Sequence, residues 1–185
     1  MSQKAPDATS LYEAALNHMA RYAATEAGLA RVLARRIERW AQKQEPDEDL
    51  PHIVRRAKAE IPGILAKLTT LGVVNDEAFA ASRAKRLTRS GKSRRATLAH
   101  LVAKGVKAPQ VEDDPQRELA AACAYLRRRR AGPYGPADFE KILAAMARGG
   151  FSQATARRAF ALTRDEADTL IKSLDQSPFT STDIT

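Results

Sequence analysis

Two stretches of this chain lie on one another without a gap: "RRATLAHLVAKGV" at 94–106 and "FEKILAAMARGGF" at 139–151. In that register Leu98 falls on Leu143, Leu101 on Met146, Gly105 on Gly150 and Val106 on Phe151. Apolar residues recur at spacings of three and four, the period of a helix with one buried face. The glycine followed by an apolar residue is the sequence mark of a helix end. "GLARVLARRI" at 28–37 echoes the pair more weakly, with Leu33 at the Leu101 position and no glycine stop. An Ala-rich helical segment precedes each copy. Extended in both directions, the pattern reads as three similar helical repeats in tandem. A repeat this small buries little surface alone, so its stability depends on its neighbour. Alanine and leucine abound, aromatics are only 5%, and no segment alternates with period two. The fold class is all-α.

The periodicity predicts a first helix over 10–24, with Leu11, Ala14, Ala15, Met19 and Tyr22 in phase, and a second capped by Thr25, carrying Leu29, Val32, Leu33, Ile37 and Trp40 on one face. Helix resumes over 48–71, with Pro51 in its first turn, Pro62 set to kink or split it, and Gly72 ending it. Asn75 caps a helix that runs to Ser90 and breaks at Gly91. Ser93 caps the next, which Gly105 ends. Pro109 and Pro115 mark an acidic connection. A helix over 116–130 stops at "AGPYGP", another starts at Asp138, and Ser152 caps a last one running to Leu174. The expected layout is a leader at 1–9, repeats at 10–71, 72–115 and 116–174, and a disordered tail at 175–185.

Lys and Arg outnumber Asp and Glu by 31 to 22. The excess is concentrated. Residues 79–110 hold nine cations and no acid, and that window accounts for the whole net charge of +9. Such a balance points to a polyanionic partner. A lone cysteine, Cys123, can form no intrachain disulfide, and "AAACAYL" around it reads as buried helix. The N-terminus is polar where a secretory signal is apolar, and no apolar run reaches membrane-spanning length. A cytoplasmic protein, monomeric and without a membrane role, is expected.

Within the basic window, "DEAFAASRAKRLTRSGKSRR" at 76–95 places Phe79, Ala80, Ala84 and Leu87 on one helical face and Lys85, Arg86 and Arg89 on the other. Arg83 sits between Phe79 and Leu87 on the apolar side, where its stem packs while its head reaches out. Lys92 lies in the turn, and Arg94 and Arg95 open the next helix. Cations there oppose the helix dipole at about 0.3–1 kcal/mol, a cost that makes sense where an anion binds the N-terminal amides. Lys104 closes that helix. A second cluster, "LRRRR" at 126–130, contributes Arg127, Arg128 and Arg130; successive helical positions point all round, so at most two face one partner. These ten residues form the expected partner- or DNA-binding set. "RRAKAE" at 55–60 and "ARRIER" at 34–39 have acids nearby and read as solvated.

Chemistry finds little footing. His18, His52 and His100 fall in separate segments without metal-ligand spacing. "SGKS" at 90–93 has Arg86 where a phosphate loop needs glycine, and no strand precedes it. No enzyme, metal or cofactor is expected.

Residues 71–106 resemble the core signature of the RecX family of regulatory proteins, through Gly72, Asp76, Phe79, Ala80, Gly91, Ser93 to Arg95, Leu101, Lys104, Gly105 and Val106. The stretch from "AAACAYLRRRRAGPYG" to "MARGGFSQATARRAF" is similar to the family's closing repeat, and residues 15–41 resemble the N-terminal repeat of a proteobacterial branch. The likeness spans about residues 11–170. Two departures stand out: a short, proline-bearing connection after Val106 that stunts or merges a helix, and a first repeat without its glycine stop. The resemblance implies three tandem three-helix repeats in an elongated, curved array. It implies binding to RecA–DNA filaments and inhibition of RecA's recombinase, ATPase and co-protease activities, with consequences for DNA repair and the SOS response. The residues alone also allow a helical protein that binds single- or double-stranded DNA through phosphates, with weak sequence preference and without RecA. In that case 93–105 would serve as a recognition helix, although its middle, "ATLAHLVA", offers almost nothing to base edges.

Overall fold

The structure is a computed structural model that describes residues 4–176. Among these residues it is all-helical, with ten α-helices and no strand. The chain divides into two compact units, Met1–Phe79 with Lys104–Lys107, and Ala80–Ala103 with Ala108–Thr185.

In the first unit, α1 (Ala8–Met19), α2 (Glu26–Ala41), α3 (Leu50–Ala59) and α4 (Ile61–Thr70) surround one core. Leu29, Leu33 and Ile37, one turn apart on α2, are wholly buried against Leu11 and Ala15 of α1 and Ile61, Ile64, Leu65 and Leu68 of α4. Each such aliphatic side chain contributes about 1.5–3 kcal/mol of burial. The first helix starts earlier and ends sooner than its periodicity predicts. Asp7 and Ser10 form a reciprocal capping box that begins it at Ala8. Residues 22–24 leave the helix to approach Thr25, the cap of α2. Tyr22 is therefore 61% exposed rather than packed inward. Pro62 divides 50–70 as expected: α3 ends before Glu60, and the proline takes the first turn of α4, where no amide hydrogen is needed.

The second unit is built on α7 (Pro115–Arg129). Leu119 to Ala124 are all buried, as is Leu126. A helix covered on every side must carry small residues, and "AAACA" supplies them. It packs against α9 (Gln153–Ala161) and α10 (Arg164–Gln176), with Leu143 and Met146 of α8 (Phe139–Arg148) in the same core. α5 (Asp76–Arg89) begins in the first unit and continues in the second, followed by α6 (Arg94–Lys104).

The paired segments of α6 and α8 share local structure. Leu101 and Met146 are fully buried, Gly105 and Gly150 have φ of 94° and 90°, and Val106 and Phe151 are buried. No helix forms over 105–114. The single helix expected from Ser152 to Leu174 is two. Leu162 turns extended, and Thr163 with Glu166 makes a second capping box that starts α10. The signal was present as "TRDE", with the Thr-x-x-Glu spacing of that motif. Asp175 and Gln176 belong to α10, and the rest of the expected tail lies outside the described residues.

Gly91 ends α5 at φ 77°, and a Cβ there would come within 2.5 Å of the Tyr125 backbone nitrogen of α7. Gly72 ends α4 at a similar φ of 70° with nothing within 4 Å. Both substitutions to alanine carry the left-handed strain of about 1–2 kcal/mol, but only Gly91→Ala adds a backbone clash. Urea unfolding is expected to show Gly72→Ala within that range and Gly91→Ala well beyond it.

Candidate polyanion-binding surface

Asn75 caps α5 by accepting Ala78 N at 2.8 Å, and Ala80 and Ala84 face inward. This leaves Arg86 and Arg89 exposed and Lys85 half-exposed. Arg83 lies half-buried, as its apolar flanks require, and its Nε donates to His100 Nε2 at 3.0 Å, tying α5 to α6. Arg89 reaches the end of α10. Its Nε is 2.8 Å from Asp175 Oδ1, and it donates at 3.4 Å to the carbonyls of Leu174 and Asp175. A guanidinium there complements the negative end of that helix. The side chains of Lys85, Arg86, Lys92, Arg95 and Arg130 have no hydrogen-bond or ion-pair partner among the described residues.

The start of α6 corrects one expectation. Its first amide does not wait for a visiting anion, because Glu118 of α7 accepts Arg94 N at 2.8 Å. Arg94 turns its Nε to Val111 O at 2.9 Å and lies 3.8 Å from Asp113. Glu118 thus fills the site that a phosphate would take, and Arg94 holds the connection into α7. Ser93 is fully buried; its Oγ accepts Ala96 N and donates to Gly149 O at 2.6 Å, so one hydroxyl caps α6 and fastens the end of α8.

The second arginine cluster comes to the first. Arg128 Nη1 donates to Ser90 O at 2.7 Å, and Gly91 lies against the backbone at Tyr125. The turn carrying Lys92 therefore rests on the last turns of α7. Arg127 extends towards Asp168 of α10 at 3.9 Å, and Arg130, exposed, ends α7 in the left-handed conformation. Lys104 belongs to the first unit, where its carbonyl accepts Thr25 Oγ1 at 2.7 Å and Arg31 Nη2 at 3.1 Å. On the second-unit part of α6, Thr97 and Leu101 are buried, while Ala99, Val102 and Ala103 are exposed.

Among the described residues no group of three His, Cys, Asp or Glu side chains is placed to hold a metal ion, and no helix is long and apolar enough to cross a membrane. Burial, and then Asp168, push the Cys123 thiol up to about 11, which suits a packed residue rather than a nucleophile.

Fold and surface together define an all-helical, strongly basic protein whose cations collect at the α5–α6 turn and the end of α7. Its sequence is 36% identical over 162 residues to the Regulatory protein RecX of Myxococcus xanthus (strain DK1622), covering 81% of this chain and 83% of that one. The chain belongs to the RecX family. No protein-family model and no solved structure matches it.

Burial raises the Glu118 carboxyl above its ordinary value, against the lowering by the Arg94 amide and guanidinium. The folded state therefore holds this proton more tightly than the unfolded chain. Glu118's contribution is full below its unfolded pKa and is lost as pH rises through the higher folded value. Urea midpoints followed upward from pH 4 should decline through that window in the native protein, and less in Glu118→Gln. Parallel curves would show that Glu118 does not titrate as described.

Proposed function

We propose that this protein binds RecA–DNA nucleoprotein filaments and restrains RecA's recombinase, ATPase and co-protease activities, and through them DNA repair and the SOS response. Membership of the RecX family is the observation that carries this reading. The tandem-repeat organisation belongs to the same proposal, supported by the matched ends of α6 and α8. So does a cytoplasmic, non-enzymatic mode of action, in which occupying the filament is itself the inhibitory event.

The contact surface proposed is Lys85, Arg86, Arg89, Lys92, Arg94, Arg95, Arg127, Arg128 and Arg130, with Lys104 as a separate element. Within it, Arg86, Lys92 and Arg95 are the leading contacts, being exposed and uncommitted among the described residues. Arg89 and Arg127 have exposed ion pairs. Such pairs contribute about 1 kcal/mol or less, so a phosphate or a RecA carboxylate can replace Asp175 or Asp168. Arg94 and Arg128 bond to backbone carbonyls, and their first role is to hold the surface together. The exposed alanines and valine of α6 supply no donors for base edges, which favours phosphate and protein contacts over sequence reading.

RecA's single-stranded-DNA-dependent ATPase provides the test. The native protein is expected to suppress it at near-stoichiometric amounts, even with free DNA in excess. Changing Arg86, Lys92 and Arg95 to Ala should weaken filament binding and reduce the log–log salt slope by roughly one for each phosphate no longer neutralised. Complete relief of inhibition by bare DNA would favour direct DNA binding without RecA. Unchanged inhibition and slope in the triple variant would remove this surface from the mechanism.

A further inference from the structure

Arg89 and Arg127 of the proposed contact surface are held by acids of one and the same helix. Ala167, Ile171 and Leu174 seat α10 in the core of the second unit. Asp168 and Asp175 each follow one of these buried residues. At about 100° per residue, they fall on the same flank of the helix, two turns apart. A rise of about 1.5 Å per residue separates them by about 10 Å along the axis. Each meets an arginine at the end of a different helix. Asp168 stands 3.9 Å from Arg127 of α7, and Asp175 stands 2.8 Å from Arg89 of α5.

The hold on Arg89 is the firmer of the two. Besides the Asp175 carboxylate, it donates at 3.4 Å to the carbonyls of Leu174 and Asp175. These belong to the last turn of α10, where carbonyls lack intrahelical partners and the dipole is negative. Asp168 divides its charge, because its Oδ1 also accepts Tyr134 Oη at 2.8 Å. Both pairs stand in water: Arg89 and Asp175 are 40% and 68% exposed, and Arg127 and Asp168 are 51% and 35% exposed. A buried pair would serve the scaffold, and breaking it would damage the fold. An exposed pair contributes little to stability, and its arginine is open to a polyanion arriving from solvent.

α10 therefore offers two carboxylates and a helix end to cations that a polyanionic partner would use. We propose that α10 is a built-in competitor for this surface. Asp175, and to a lesser degree Asp168, hold Arg89 and Arg127 until a densely charged ligand displaces them. The inference rests on the reading of these arginines as partner contacts. An acid tethered in the same unit competes at a high effective concentration that dilution does not lower. Singly charged anions are thereby turned away. A polyanion that engages Arg86, Lys92 and Arg95 at the same time displaces the acids. Asp175 and Asp168 thus set the charge density that a partner must have.

Heparin serves as a polyanion probe that needs no RecA. Asp175→Asn keeps the shape of the side chain and removes its charge. The full chain with this change is expected to bind heparin about two- to five-fold more tightly, the range that corresponds to one exposed pair. Asp168→Asn still accepts the Tyr134 hydroxyl and should gain less. Asp165→Asn makes the same change in net charge on the same helix. Its side chain is exposed and has no hydrogen-bond or ion-pair partner among the described residues, so its affinity should stay near the native one. Arg89→Ala should weaken binding, and adding Asp175→Asn to it should restore nothing. That non-additivity is the signature of competition. A merely structural pair would instead lower the thermal melt in Asp175→Asn and leave affinity where it was. Native affinity in Asp175→Asn, an equal gain in Asp165→Asn, or a gain that persists beside Arg89→Ala would each overturn the proposal. Undiminished binding in Arg89→Ala would remove the contact reading of Arg89 and the proposal with it. The RecA ATPase titration separates the two. A lower half-inhibiting amount of Asp175→Asn extends the competition to the filament. Tighter heparin binding with an unmoved ATPase titration would sink the filament contact at Arg89 and leave the competition standing.

Discussion

The second unit depends on how closely the α5–α6 turn approaches α7. Gly91 meets the α7 backbone at a distance that leaves no room for a Cβ, and the neighbouring residues exploit that approach. Ser90 offers its carbonyl to Arg128, Ser93 caps α6 while holding the end of α8, and Arg94 gives its amide to Glu118. Alanines along α7 make the approach possible, because a larger residue at these positions would hold the neighbouring elements away. Burial of so many small side chains contributes little apolar area per residue. Polar fastenings at the helix ends therefore matter more here than in the first unit, where leucine and isoleucine dominate the core.

This packing sorts the arginines by role. Some serve the fold: Arg83 joins α5 to α6, Arg94 secures the 111–118 segment, and Arg128 seals the end of α5. Others stand at the surface with their charge unspent. One run of sequence thus contains both cations committed to the scaffold and cations left exposed, and density of charge alone does not separate them. Like charges are tolerated so near one another because carboxylates from distant segments, Glu118, Asp168 and Asp175, enter among them. Each acid is placed by α7 or α10 rather than by the basic segment itself.

Helix ends were legible wherever a local rule governed them. Gly91, Gly105 and Gly150 stop helices, Thr25, Ser93, Asp138 and Ser152 cap them, and Pro62 splits one, because each acts through backbone atoms a few residues away. Where expectation and structure differ, two local signals compete. Apolar periodicity carries the first helix through Tyr22 and the last one through Leu162, while the Thr25 cap of α2 and the Thr163–Glu166 capping box draw the boundaries elsewhere.

An all-helical chain, its breaks, the likeness of 94–106 to 139–151 and the segment that carries its net charge are all written in the residue order. These follow from periodicity, backbone sterics and composition, which act over a turn or two. Folding in three dimensions was needed to decide which arginines are committed to carbonyls and carboxylates, that the 127–130 cluster meets the 90–92 turn, and that Glu118 fills the α6 N-terminus. Those outcomes join residues far apart in the chain, and no local rule states which helix end a long, flexible side chain will reach.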